Sequence, residues 1–270
     1  MQFADKTVVI TGGASGIGAG LASQLMEIGA HVVIADRDAV AVQAVSERLG
    51  CAGFVCDVAQ EEEIRKLVRY ASDAAGPIDC FVSNAGLFDT QPGHAASAPD
   101  TVWMQNWNVH VMSHVYAARA LLPDMLARGA GQFINVASAA GLLNQIQNAA
   151  YSATKQAAVS FAESLAITHG DAGIDVAVVC PQYVATPLIG LQDSDVQSGS
   201  GLLSAQEVAR LIIAGVEERR FLILPHPEVG GFVRLRAQDH DKWIVGMKRL
   251  RATSLAKLGV DQAAHLYRLL

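Results

Sequence analysis

Thr7-Val8-Val9-Ile10-Thr11-Gly12-Gly13-Ala14-Ser15-Gly16-Ile17-Gly18 is the stretch on which the reading of this chain turns. Its first four residues are apolar or β-branched, the pattern of a buried strand. From Ala19 to Met26 apolar residues recur at helical spacing. The glycines therefore sit where a strand turns into a helix, where an anion meets unpaired N–H groups and the positive helix end. Gly12 allows the tight turn, Gly16 lets a pyrophosphate approach the backbone, and Gly18 lets the helix pack close to the sheet. The spacing is Gly-x3-Gly-x-Gly rather than Gly-x-Gly-x2-Gly. It lacks the Gly-Lys-Ser/Thr ending of a triphosphate loop, so ATP or GTP hydrolysis is not expected. A glycine-rich turn without a ligand competes with this reading, and the rest of the chain weighs against it.

Residues 31–36 (His-Val-Val-Ile-Ala-Asp) read as a second buried strand, and Asp36 falls 18 residues past Gly18. A carboxylate there accepts hydrogen bonds from the adenosine ribose hydroxyls and repels a 2′-phosphate, which favours NAD over NADP. Arg37 points the other way, since an arginine can hold that phosphate; Ala14 and Ser15 add no second basic group. Alternatively Asp36 caps the helix over residues 39–49, a place Asp38 fills at least as well. Residues 52–58 give a third strand. Glu61, Glu62 and Glu63 open a helix whose dipole they complement. Gly76-Pro77 breaks that helix, and residues 78–82 form a fourth strand running into Ser83-Asn84-Ala85-Gly86. Strands alternating with helices imply right-handed crossovers, a parallel sheet, and a ligand beyond the carboxyl ends of the strands.

Residues 99–128 predict a long helix closed by Gly129. Trp103, Trp107, Val111, Val115 and Ala118 recur in it at helical spacing, as core or interface. Residues 132–138 form a fifth strand that delivers Ser138 to the ligand edge. Tyr151 and Lys155, four residues apart, share one face of the next helix. Residues 174–180 form a sixth strand. The polar, glycine- and serine-rich segment 188–204 reads as a lid or a loose loop. A helix at 205–218 and a short strand at 220–224 complete the sheet. The extension 225–270 reads as less regular, with Trp243, Met247 and a basic patch of Lys248, Arg249 and Arg251. With no internal repeat and no second glycine-rich loop, residues 1–270 read as one domain.

The chain has 270 residues, 51% hydrophobic and 17% charged, the composition of a globular α/β protein. A net charge of −6 argues against a nucleic-acid partner. The first strand begins within a few residues of Met1, so no signal peptide is expected. No apolar run is long enough to span a bilayer, so no membrane partner is expected either. Cys51, Cys56, Cys80 and Cys180 match no metal spacing. They read as small buried hydrophobes in a reducing cytoplasm.

Ser138, Tyr151 and Lys155 carry the chemistry. A free tyrosine, with a pKa of about 10, is a poor base at neutral pH. A nearby ammonium favours the phenolate, and Lys155 is placed to supply it while holding a nicotinamide ribose. Tyr151 then takes a proton from an alcohol as hydride leaves, or returns one in reverse. Ser138 holds the substrate oxygen. No Gly-x-Ser-x-Gly elbow supports a hydrolase.

Taken in order, Thr11 to Gly18, Cys56-Asp57-Val58, Asn84-Ala85-Gly86, Leu122-Pro123-Asp124-Met125, Asn135-Val136-Ala137-Ser138, Tyr151-x3-Lys155 and Pro181 to Thr186 closely resemble the short-chain dehydrogenase/reductase family. The resemblance implies a Rossmann-type, doubly wound, parallel seven-stranded sheet with helices on both faces, a nicotinamide cofactor and reversible alcohol oxidation. It assigns the cofactor to Gly12, Ser15, Gly16, Ile17, Gly18, Asp36 and Arg37 on the first two strands. Asp57 and Val58 line the adenine pocket. Asn84, Ala85 and Gly86 border the ribose, and Tyr151, Lys155, Pro181, Val184 and Thr186 surround the nicotinamide. A homodimer or homotetramer is implied as well.

Three positions depart from the family pattern. Ser83 replaces an asparagine, Gln182 replaces a glycine, and His110 stands where the family places the asparagine of its catalytic tetrad. His110 is expected to take over the proton relay, since imidazole donates, accepts and titrates near neutrality; the alternative is that it fills the position and weakens the relay. The expected activity is NAD-dependent interconversion of a secondary alcohol and a ketone. A catalytically weakened, nucleotide-binding sensor is the alternative. Leu142, Leu143 and Ile146 suggest an apolar wall and a hydrophobic substrate.

Overall fold

The computed structural model describes residues 2–90, 93–197, 201–259 and 263–269. The β-branched run forms strand β1 (Thr7–Thr11), buried along its whole length. Then come α1 (Gly16–Ile28), β2 (His31–Asp36), α2 (Ala39–Leu49), β3 (Ala52–Val55), α3 (Glu61–Ala75) and β4 (Cys80–Ser83). Next are α4 (Asp100–Trp107), a π-helical turn (Asn108–Met112), α5 (Ser113–Arg128), β5 (Gly131–Val136), α6 (Ala140–Leu143), α7 (Ala149–His169) and β6 (Ile174–Val179). The chain continues through β7 (Tyr183–Ala185), β8 (Leu202–Ser204), α8 (Ala205–Glu217), β9 (Leu222–Ile223), α9 (Glu228–Gln238) and α10 (His240–Leu258).

Seven strands form one sheet in the order β3-β2-β1-β4-β5-β6-β9, every neighbouring pair parallel. This is the doubly wound Rossmann-type architecture. One core layer joins Leu21 and Leu25 of α1 and Val208 and Ile212 of α8 to Val8, Ile10 and Ile34 of the sheet. The opposite layer joins Leu67 of α3, Leu121 of α5 and Ala162 of α7 to Val9, Phe81 and Phe133. Phe81 and Phe133 are register partners on adjacent strands and fully enclosed, so truncating either costs about 3–5 kcal/mol.

Three expectations need correcting. The long helix expected over residues 99–128 is interrupted by the π-helical turn. The extra residue in that turn rotates the second half of the helix relative to the first. Trp107 is left 42% exposed, while Val111 and Ala118 are buried, and His114, Ala117 and Leu121 point inward. The segment expected as a loose lid contains β8, which pairs in parallel with β7; its residues 198–200 lie outside the described residues. The extension expected to be less regular is mostly helical. Asp239 caps α10, its carboxylate accepting the Lys242 N–H at 2.9 Å. No described helix is long and apolar enough to cross a membrane. Among the described residues no cluster of His, Cys, Asp and Glu could hold a metal.

Candidate active site

The strand order reverses between β1 and β4, where a crevice opens beyond the strand ends. Two side chains build it. Thr11 Oγ1 accepts the Asn84 N–H at 3.0 Å and donates to the Val82 carbonyl at 3.2 Å. Asn84 Nδ2 donates to the carbonyls of Thr11 at 2.9 Å and Gly12 at 3.1 Å. Asn84 thus ties the end of β4 to the glycine loop. Gly12 has φ +63°, and a Cβ there would lie 2.9 Å from both Asn84 Nδ2 and Ala85 Cα. A Cβ on Gly18 would fall 2.2 Å from the Gly12 carbonyl oxygen, so this glycine seats α1 against its own loop. Ser15 precedes α1 without capping it through its side chain, which leaves the first N–H groups of the helix facing the crevice.

This crevice is a cavity of about 320 Å³, and every sequence-predicted cofactor residue except Gly18 lines it. Asp36 stands at the end of β2 and accepts the Ala14 N–H at 3.4 Å and the Asp38 N–H at 3.3 Å. It is not the cap of α2: Asp38 takes that place, accepting from Val40 and Ala41 at 3.0 Å each. The Asp36 carboxylate is therefore turned to the cavity, with the exposed Arg37 beside it.

Ser138, Tyr151 and Lys155 converge at the inner end of the cavity. Ser138 follows β5, which stops two residues earlier than the sequence predicts, and its Oγ accepts the Ala140 N–H at 3.1 Å. Asn148 caps α7 by accepting the Tyr151 N–H at 3.3 Å, and so sets Tyr151 in the first turn. The Ser138 hydroxyl lies close enough to the phenol to favour its ionised form. Lys155 is 4% exposed, donates to the Val136 carbonyl at 3.0 Å and places Nζ 5.7 Å from the Tyr151 ring centroid. Burial pushes the Lys155 ammonium down to about 8. The phenol is pushed up to about 12, again by burial, against the lowering effect of Ser138. Against the expectation of a phenol lowered by Lys155, the Tyr151 pKa is raised, because enclosure disfavours the charged form of each group.

His110 is also corrected in part. It lies in the π-helical turn, fully buried. Its Nε2 accepts the Leu87 N–H at 3.1 Å, which leaves Nδ1 to donate to Thr154 Oγ1 at 3.0 Å. Both nitrogens are committed within the chain, and burial, reinforced by the Lys155 charge, holds its pKa well below the usual histidine range. Burial thus favours the neutral form of His110. Its ring meets Tyr151 edge to face, centroids 5.3 Å apart, and Phe88 meets Tyr151 at 5.1 Å.

Sequence reasoning did not single out His226, Gln145 or the Tyr183 side chain. Buried His226 accepts the Gln182 N–H at 3.1 Å on Nδ1 and donates from Nε2 to the Tyr183 carbonyl at 3.0 Å. It clamps the segment where Gln182 departs from the family pattern. Gln145 and Tyr183 exchange hydrogen bonds at 3.3 and 3.4 Å. Only the fold brings these positions together, so no spacing in the sequence signals them. Gln145, Gln182 and Tyr183 stand, with Ser138, at the boundary to a second cavity of about 450 Å³. That cavity is walled by Leu143, Ile146, Phe232, Trp243, Met247 and Leu250. Arg236 of α9 donates to the Leu142 carbonyl and ties the wall to α6.

A family model described as short chain dehydrogenase matches residues 6–197. The chain belongs to the short-chain dehydrogenase family. Among its relatives, the 1-deoxy-11-beta-hydroxypentalenate dehydrogenase of Streptomyces exfoliatus is 32% identical over 90% of both chains. The cis-4-hydroxycyclohexanecarboxylate dehydrogenase of Sinomonas cyclohexanicum is 33% identical over 77% of this chain and 84% of its own. A crystal structure of a short chain dehydrogenase/reductase from Burkholderia phymatum in complex with NAD superposes with a TM-score of 0.81 at 29% identity, covering 89% of this chain and 96% of that one. The short-chain dehydrogenase fold thus extends beyond the segment matched by the family model.

Proposed function

We propose that this short-chain dehydrogenase is an NAD-dependent oxidoreductase that interconverts a secondary alcohol and a ketone on a hydrophobic substrate. The observation that carries the reading is a junction: Ser138 lies on the wall shared by the glycine-loop cavity and the apolar cavity, and Tyr151, whose pKa it lowers, lines the glycine-loop side. The residues present fit the cofactor. The open N-terminus of α1, the glycine loop that a Cβ would obstruct and the cavity-lining carboxylate of Asp36 suit a pyrophosphate and an adenosine ribose. Asp36 favours NAD over NADP. A bound nicotinamide supplies the hydride chemistry.

The chain's own residues handle the proton. With its pKa raised to about 12, Tyr151 is a protonated phenol at neutral pH and donates to the substrate oxygen in the reducing direction. Ser138 holds that oxygen by a hydrogen bond. Lys155 supplies a positive charge toward the phenolate formed when the proton leaves, and takes the nicotinamide ribose. His110 serves as a positioning residue, fixing Leu87 and the Tyr151 ring rather than moving protons. The relative named for a hydroxylated cyclohexane favours a cyclic substrate, and the apolar wall a hydrophobic one.

The test is to incubate the purified chain with NAD or NADP and a panel of apolar secondary alcohols and follow reduced nicotinamide. Turnover with NAD that disappears in Tyr151→Phe, with NADH binding kept, is the expected result. A Tyr151→Phe enzyme that keeps its full rate overturns the assignment.

A further inference from the structure

Helix α10 spans 19 residues, yet Ser254 is its one buried residue. One stripe, with Trp243, Met247 and Leu250, lines the apolar cavity. The opposite stripe carries Ile244 and Val245, exposed at 42% and 45%. Lys248, Arg249 and Arg251 are exposed beside them. Among the described residues none of these three cations joins an ion pair. Leu235 of α9, on the rim of the cavity, is exposed as well.

Charge is segregated along the chain. Residues 225–270 hold eight lysines and arginines against four aspartates and glutamates, a net +4. With −6 on the whole chain, residues 1–224 carry −10. Beside the otherwise acidic body, the exposed Ile244 and Val245 and the cations Lys248, Arg249 and Arg251 make this face of α10 a basic surface with apolar side chains on it.

We propose that the outward face of α10 docks on an anionic bilayer surface. Ile244 and Val245 enter the boundary between headgroups and acyl chains, while Lys248, Arg249 and Arg251 meet the lipid phosphates. The acidic body is repelled by the same surface, so the molecule is held with α10 against it. Two-fold pairing of α10 with a second copy sets the cations of one against those of the other, which disfavours that occupant. This departs from the expectation of no membrane partner: the contact is with the surface, without a spanning helix. It places the cavity lined by α10 next to the phase in which an apolar alcohol dissolves.

The test is co-sedimentation of the full chain with phosphatidylcholine vesicles and with phosphatidylcholine–phosphatidylglycerol vesicles, at low and high salt. The chain is expected to pellet with the mixed vesicles only, and less as salt rises. The triple variant Lys248→Gln, Arg249→Gln, Arg251→Gln is expected to lower the partition coefficient roughly a hundredfold, about a factor of five per cation. The pair Ile244→Ser, Val245→Ser is expected to lower it too. All five positions are exposed, so the thermal unfolding midpoint should stay within a few degrees, which separates lost docking from lost folding. No binding to anionic vesicles, equal binding to neutral ones, or undiminished binding by the triple variant overturns the proposal. So does light scattering that shows dimers dissociating in the triple variant, because the face then belongs to a second copy. Vesicle binding needs neither substrate nor cofactor, so its outcome is independent of the oxidoreductase activity.

Discussion

Replacing Lys155 with methionine should change the pH dependence of stability in a calculable way. Lys155 is enclosed, and its folded-state pKa is pushed down to about 8, against about 10.4 in an unfolded chain. Between these values the unfolded chain binds a proton that the folded chain does not, so stability rises with pH across that window. Below about pH 8 both states are protonated and the full cost of the enclosed charge is present. The gap corresponds to about 3 kcal/mol in all, of which about 2 kcal/mol falls between about pH 7 and about pH 9.5. Methionine keeps the length and removes the charge. The assay is urea unfolding of both proteins, at one protein concentration, at the two pH values. Other titrating groups cancel in the difference, including Tyr151, whose raised pKa costs stability only above about pH 10. The expected result is a variant whose stability relative to the parent falls by about 2 kcal/mol as pH rises through this window. A difference that stays flat refutes the reasoning, because the ammonium is then not held in a low-dielectric site.

Three further outcomes concern the site. His110→Ala leaves the Leu87 N–H without its acceptor and should cost about 1–3 kcal/mol in urea unfolding. The shape of the kcat profile near neutral pH should remain; a limb that vanishes with His110 would restore the relay. Gly18→Ala drives a Cβ to 2.2 Å from the Gly12 carbonyl and should cost about 1–3 kcal/mol. Calorimetry should show at least about a tenfold loss of NAD affinity, since the colliding atoms form the loop. Asp36→Ala removes the carboxylate that faces the ribose end of the cavity. It should raise the Kd for NAD by about tenfold or more, a charged hydrogen bond being worth about 1.5–3 kcal/mol, and narrow the preference over NADP; unchanged affinities would show that Asp36 does not touch the ribose.

The sequence by itself determined the alternation of elements, the strand-to-helix turn at Gly12 to Gly18, the strand ending at Asp36 and the pairing of Tyr151 with Lys155. These are local properties. β-branched runs, glycine spacing and an i, i+4 pair act over one or two turns of chain, so their signals sit in adjacent residues. Parallel order was legible as well, because crossovers through helices leave few other topologies. What tertiary structure decided depends on enclosure or on contacts between distant segments. The π-helical turn at Asn108–Met112 rotated the second half of a helix that spacing alone drew as continuous. Leu87 and Thr154 take both nitrogens of His110, and burial disfavours its charged form. Lys155 failed to lower the Tyr151 pKa because the same enclosure penalises ammonium and phenolate alike. The helices of the extension, with few residues buried, show only weak amphipathic patterning, and their cavity wall exists only where α9 and α10 fold back over Ser138. A pKa and a cavity are properties of what surrounds a residue, and those surroundings come from parts of the chain that the local sequence does not contain.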